Sequence, residues 1–196
     1  MRKSLVILGI LNDSDLEWFI ANGNVYRCKK GDVIIQEGAD PEIGYNMYFL
    51  IDGAFEVWIA APKRTPITTL YSGEIVGEIS LLDARPPSAT VEAIENGIVL
   101  AINYETLQAK MEIDIHFQAR LYRALGVFLA QRLRNTTTLA AGGGDDDLLS
   151  EREESLDEIE LDVLEELNLA GKRFEQMEER LRNSKSEAFP STESYR

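Results

Sequence analysis

The sequence predicts an α+β fold: an antiparallel, jelly-roll-like β-roll with a short helix before it and a long helix after it. Three observations predict this. Between Asn24 and Ile102 come short runs rich in Val, Ile, Thr, Tyr and Phe, closely spaced and divided by Gly-bearing turns. On either side the apolar residues recur instead with the 3.6-residue period of a helix. A chain of 196 residues, 44% hydrophobic, has enough apolar side chains for one ordinary core with a tail to spare.

The elements follow in order. "LNDSDLEWFIANG" reads as the first helix, with Ser14 and Glu17 at capping-box spacing, Leu16, Phe19 and Ile20 on one face and Gly23 as its stop. "NVYRC", "VIIQ", "MYFLI", "AFEVWIA", "ITTLY", "ATVEAI" and "IVLAI" read as strands, separated by turn formers such as "KKGD", "DG" and "ENG". "YETLQAKM" is a short helix, and a longer one is expected over about 113–135. Along the long helix Phe117, Leu121, Ala124 and Phe128 make a seam at steps of four, three and four, beside a second apolar row of Ile115, Tyr122, Leu125, Leu129 and Leu133. So wide an arc is more than one small roll can cover. The expectation is a homodimer, with the seam on its own copy; the competing arrangement buries the helix in a single core.

The domain is therefore expected at 1–140, followed by a Gly/Asp linker at 141–147 and an acidic, partly helical or disordered tail at 148–196. Between Asp145 and Glu166 twelve acids face one base, Arg152, so this stretch carries −11 of the chain's −14. Leu156, Ile159, Val163 and Leu167, then Phe174, Met177 and Leu181, share one helical stripe, with a break expected at Gly171. Such a segment is either solvated or folds on a partner. "SKSEAFPSTESYR" is expected to be disordered.

Charge and composition exclude several classes of function. A chain at −14 repels nucleic-acid backbones and anionic membranes, so direct nucleic-acid or membrane binding is not expected. One cysteine, Cys28, can form neither an internal disulfide nor an iron–sulfur site, and His116 is the one histidine, expected at the surface. With no metal-ligand cluster and no nucleophile motif, an enzyme is not expected. Nothing at the N-terminus reads as a signal or a span, which gives a cytoplasmic expectation.

The stretch "GEIVGEISLLDARPPSATVEA", residues 73–93, sits between two strands and has the look of a nucleotide-binding loop. With the order helix, roll, short helix, long helix, it resembles the cyclic nucleotide-binding domain of the CRP/FNR-type superfamily over about residues 8–135. Glycines in "KKGDVIIQEG" and "LIDGAFEVW" fit the same pattern. The resemblance implies that amides at the start of the loop's short helix meet a cyclic phosphate, that Glu78, after Gly77, takes a ribose 2′-hydroxyl, and that Ser88 and Thr90 stand at small hydroxyl positions. The family's phosphate-pairing arginine falls on Pro87, which has neither charge nor N–H. Arg85, two residues earlier, is the remaining cation. A charge-assisted pair is worth roughly 1.5–3 kcal/mol, so cAMP or cGMP here would bind about ten- to a hundredfold more weakly. The family's transcription factors continue into a basic helix-turn-helix; here a Gly run and an acidic segment follow.

The long helix offers a second candidate site. Arg120, Arg123 and Arg134 lie on one face, whereas Arg132 falls within the apolar arc one turn beyond Phe128. In a dimer seam Arg132 would face its own copy, and two guanidinium groups there call for an anion, unless the side chain snorkels to solvent. A two-fold symmetric anion fits such a place. Cyclic di-GMP does so, with Arg132, Arg134, Arg123 and Arg120 on phosphate or guanine edges, Tyr122 stacking and Arg2 closing from the N-terminus. The architecture is similar to bacterial c-di-GMP receptors that lack a DNA-binding domain, which implies a protein partner such as a CRP-type transcription factor. A cAMP- or cGMP-binding regulator using residues 77–91, and an interaction module with no ligand, are the alternatives.

Overall fold

The computed structural model describes residues 5–40, 45–141 and 161–190. Two sheets face each other as a roll. The first has the strand order β6(Ile75–Val76), β3(Asn46–Asp52), β8(Gly97–Asn103), β1(Asn24–Cys28) and β9(Glu187–Ala188); the second is β2(Val33–Ile35), β7(Thr90–Ala93), β4(Ala54–Ile59) and β5(Thr65–Tyr71). Every pairing is antiparallel except β9 on β1, which is parallel.

The alternation of side chains along β3 and β8 divides the core in two. Tyr48, Leu50, Val99 and Ala101 point into the roll, against Phe55, Val57, Val91 and Ala93 of the second sheet. Met47, Phe49, Ile51, Leu100 and Ile102 point outward, under the helices. Strand β3 is buried on both faces for that reason.

The helices are α1(Leu5–Ile10), α2(Asp13–Asn22), α3(Glu78–Asp83), α4(Tyr104–Ile113), α5(Ile115–Ala141) and α6(Leu161–Arg182). Helix α2 is the expected opening helix with a different cap. The side chain of Asn12 accepts from the Asp15 amide at 2.9 Å and the Asp15 carboxylate accepts from the Asn12 amide at 3.0 Å, a capping box two residues earlier than Ser14 and Glu17. Ser14 donates to the Asn12 side chain at 2.7 Å. Phe19 packs its ring 5.1 Å from Phe49 and 5.7 Å from Phe117, fixing α2 between β3 and α5.

The structure corrects the expected use of the long helix. Phe117, Leu121, Ala124 and Phe128 are buried within one chain, not left for a second copy. Helix α1, which the sequence did not announce, packs against both α5 and α6, and its Ile7 and Leu8, with Leu11 just after it, share one buried cluster with them. Each large apolar side chain taken out of water in this way contributes about 1.5–3 kcal/mol, so the chain's own helices cover the seam and Leu125, while Ile115, Tyr122 and Leu133 of the second row stay exposed. Helix α5 also runs to Ala141, past both the expected end at Asn135 and the expected domain limit at 140.

The C-terminal segment departs from expectation as well. Helix α6 continues through Gly171 and places Ala170, Phe174, Met177 and Leu181 in the core beneath the helices. Beyond it β9 extends the first sheet and Phe189 is buried in the roll, so residues 184–190 of the stretch expected to be disordered are ordered on the roll. Residues 142–160, which contain most of the linker and the acidic run, and residues 191–196 lie outside the described residues.

Candidate functional site

The loop between β6 and β7 is built from the backbone up. Gly77 adopts φ of 90° just before α3, and a Cβ there would lie 2.3 Å from the carbonyl oxygen of Asn46. Only glycine permits this left-handed turn so close to a neighbouring backbone. Glu78 then opens α3 with its side chain 1% exposed. The Tyr104 hydroxyl, at the head of α4, donates to the Gly77 carbonyl. Burial raises the pKa of Tyr104, and the carboxylate of Glu78 nearby raises it further. The phenol is therefore held as a neutral donor, which locks the turn.

The second half of the loop is tied to the chain after β2. Thr90 is fully buried, its hydroxyl accepting from the Glu37 amide at 3.1 Å and from the Gln36 side-chain amide at 3.3 Å. The Gly38 amide donates to the carbonyl of Pro87 at 2.8 Å. Of the positions the resemblance singled out, Gly77, Glu78 and Thr90 form the floor. Ser88 and Arg85 are exposed at the rim, and the Arg85 amide donates to the Asp83 carboxylate at 3.1 Å behind Ala84, whose φ is 55°. The loop thus presents a buried carboxylate and a tight glycine turn, with no cationic side chain at position 87.

The candidate set on the long helix fares differently. Arg120 makes a two-pronged pair with Asp15, Nε to Oδ2 at 2.6 Å and Nη2 to Oδ1 at 2.7 Å. Asp15 is 2% exposed, so this guanidinium neutralises a buried carboxylate and holds α2 to α5, which corrects its assignment to a ligand. Tyr122, Arg123 and Arg134 are exposed. The side chain of Arg132, and Arg2 altogether, lie outside the described residues.

Three residues that matter were not singled out from sequence as part of a site. Tyr104 and Asn46 brace the Gly77 turn, and a tyrosine directly after the Asn103 helix cap was the available signal for the first. The third, Phe189, is the one phenylalanine of a polar segment. Among the described residues no three His, Cys, Asp or Glu side chains are grouped to hold a metal ion, and no helix is long and apolar enough to cross a membrane.

Comparison with known proteins agrees with this geometry. Residues 26–114 match the family model of the cyclic nucleotide-binding domain. The chain is similar to the cAMP-dependent protein kinase regulatory subunit of Debaryomyces hansenii, 38% identical over 73 residues, which are 37% of this chain and 15% of that protein. It therefore spans only a small part of that relative's length. Among solved structures, a cyclic nucleotide-binding domain from Methylobacillus flagellatus superposes with a TM-score of 0.62 at 18% identity, covering 74% of this chain and 85% of that one. The catabolite activator protein of Thermus thermophilus gives 0.54 at 21% identity, covering 88% of this chain and 84% of its own. Over residues 26–114 the chain is thus similar, in sequence pattern and in the topology of the roll, to the cyclic nucleotide-binding domain family.

Proposed function

We propose that the chain is a non-enzymatic regulatory module that takes a cyclic mononucleotide, cAMP or cGMP, in the loop at 77–91 and passes its occupancy to a protein partner. One observation carries this reading: Glu78 is kept buried at the start of α3 behind a glycine turn that Tyr104 and Asn46 hold in place. This places a carboxylate, an acceptor for a ribose hydroxyl, at the first position of α3 directly after the Gly77 turn. The similarity to a cAMP-dependent kinase regulatory subunit supports both the ligand class and a protein partner. Pro87 makes the site a weak one, because the anionic phosphate meets no arginine at that position.

A c-di-GMP site between two copies has less support. Arg120 is engaged by Asp15, and the four seam residues are covered within one chain. Calorimetric titration of the full chain with cAMP, cGMP and c-di-GMP tests the choice. Heat from a mononucleotide, reduced about tenfold or more in affinity by Glu78→Gln, is the expected result. Heat from c-di-GMP alone, or a mononucleotide affinity indifferent to Glu78→Gln, would overturn it.

A further inference from the structure

The C-terminal segment enters the roll. Residues Glu187 and Ala188 pair with Tyr26 and Arg27 of β1, and the Phe189 amide donates to the Arg27 carbonyl at 3.1 Å. Arg27 clasps the segment from the side, with Nε donating to the Ser186 hydroxyl at 2.7 Å and Nη2 to the Arg182 carbonyl at 3.2 Å. These contacts deliver Phe189, 7% exposed, into the apolar cluster between the sheets. Its ring stands edge-on to Tyr26, centroids 5.5 Å apart, and tilted against Tyr48 at 6.3 Å.

That cluster is also the wall of the candidate site. It contains Val76, immediately before Gly77, and Val91, immediately after Thr90, and Ala89 packs against it. Tyr48 is the cross-strand partner of Val76, and its hydroxyl lies 3.4 Å from the side-chain amide of Asn46, whose carbonyl backs Gly77. The side chain that plugs the roll therefore rests on the strand that sets the nucleotide loop. Its own hold is short: a two-residue ladder, one aromatic anchor, and Pro190 next, which can add no further N–H to the edge. A unit so small opens locally without unfolding the roll.

We infer that Ser186–Phe189 is an internal occupant of the roll, an inhibitory segment whose docking disfavours nucleotide binding at Glu78 and which nucleotide in turn displaces. The inference rests on the proposed nucleotide reading. When the binding-competent form is a minor population, the apparent affinity falls by that fraction, so removing the plug strengthens binding.

The experiment compares the full chain with Phe189→Ala and with a chain ending at Ser184, both of which keep α6 and Arg173. Each is titrated with cAMP and cGMP by calorimetry, and exchange of the Phe189 amide is followed in the full chain as nucleotide is added. About tenfold tighter binding in both variants, with faster exchange of that amide on saturation, is the expected result. Two variants guard against a local packing defect in either one. Equal or weaker affinity in both variants overturns the plug while leaving the nucleotide site standing. Silence from both nucleotides in all three proteins overturns the nucleotide reading and the plug with it.

Discussion

Position 87 is where a single side chain decides most. The loop around it is intact, with Gly77 turned, Glu78 buried and the Pro87 carbonyl accepting from Gly38 at 2.8 Å. Because that hydrogen bond uses the backbone, Pro87→Arg leaves it in place while adding the charge the phosphate lacks. The expected outcome is a ten- to hundredfold gain in affinity for cAMP or cGMP, since a charge-assisted pair contributes about 1.5–3 kcal/mol. Calorimetry on the variant checks it, and an unchanged affinity would place the phosphate somewhere other than beside residue 87. The missing charge was legible from sequence because it depends on residue identity at one register. The role of Arg120 was not: its guanidinium looked available on a helical wheel, and only the fold brings Asp15, 105 positions away, within 2.6 Å.

At the scale of elements, the junction between α4 and α5 is one residue, Asp114. Its amide donates to the Lys110 carbonyl at 3.0 Å, ending α4, while its carboxylate accepts from the Phe117 amide at 2.9 Å, starting α5. The hydrogen bond from Lys110 at 2.8 Å, then that from the Phe117 amide, lower the Asp114 pKa from 3.8 to about 2. A carboxylate depressed on folding contributes stability that is fully present above its unfolded value and is lost as pH falls toward the folded one. Thermal melts should thus decline between about pH 4 and pH 2, and Asp114→Asn should lower the melting temperature at neutral pH and flatten that part of the profile. A profile identical in the variant would remove Asp114 as its cause. The strands were legible because period-two runs and glycine turns are local signals. Neither α1 nor the docking of β9 was, because a six-residue helix and a two-residue strand become stable only against surfaces that distant parts of the chain supply.

On the scale of the whole molecule, the decisive point is whether the C-terminal helix is an appendage or part of the core. Arg173, 8% exposed, answers this in its contacts. Its Nη1 donates to the carbonyls of Leu8 at 2.8 Å and of Leu11, capping the end of α1, while Nε reaches Asp13 at 2.8 Å at the start of α2. Phe174, Met177 and Leu181 continue the same apolar cluster that holds Phe117 and Leu121. A tail that merely followed the roll could be removed without effect. For this chain, ending at residue 160 would uncover Ile7, Leu8 and Leu11 and leave carbonyls at the end of α1 without their donor. The lost burial of three large side chains of α6 alone comes to roughly 5 kcal/mol or more, comparable with the whole stability of many domains. The expected outcome is a fall in melting temperature of at least about 10 °C, with amides of α1 and of the first turn of α2 losing hydrogen-exchange protection while β3 and β8 keep theirs. Arg173→Met should reproduce the loss in α1 in milder form, because it removes the donor and leaves the apolar contacts of α6. If α1 stayed protected in the shortened chain, α5 alone would be holding it, and α6 would be an appendage after all.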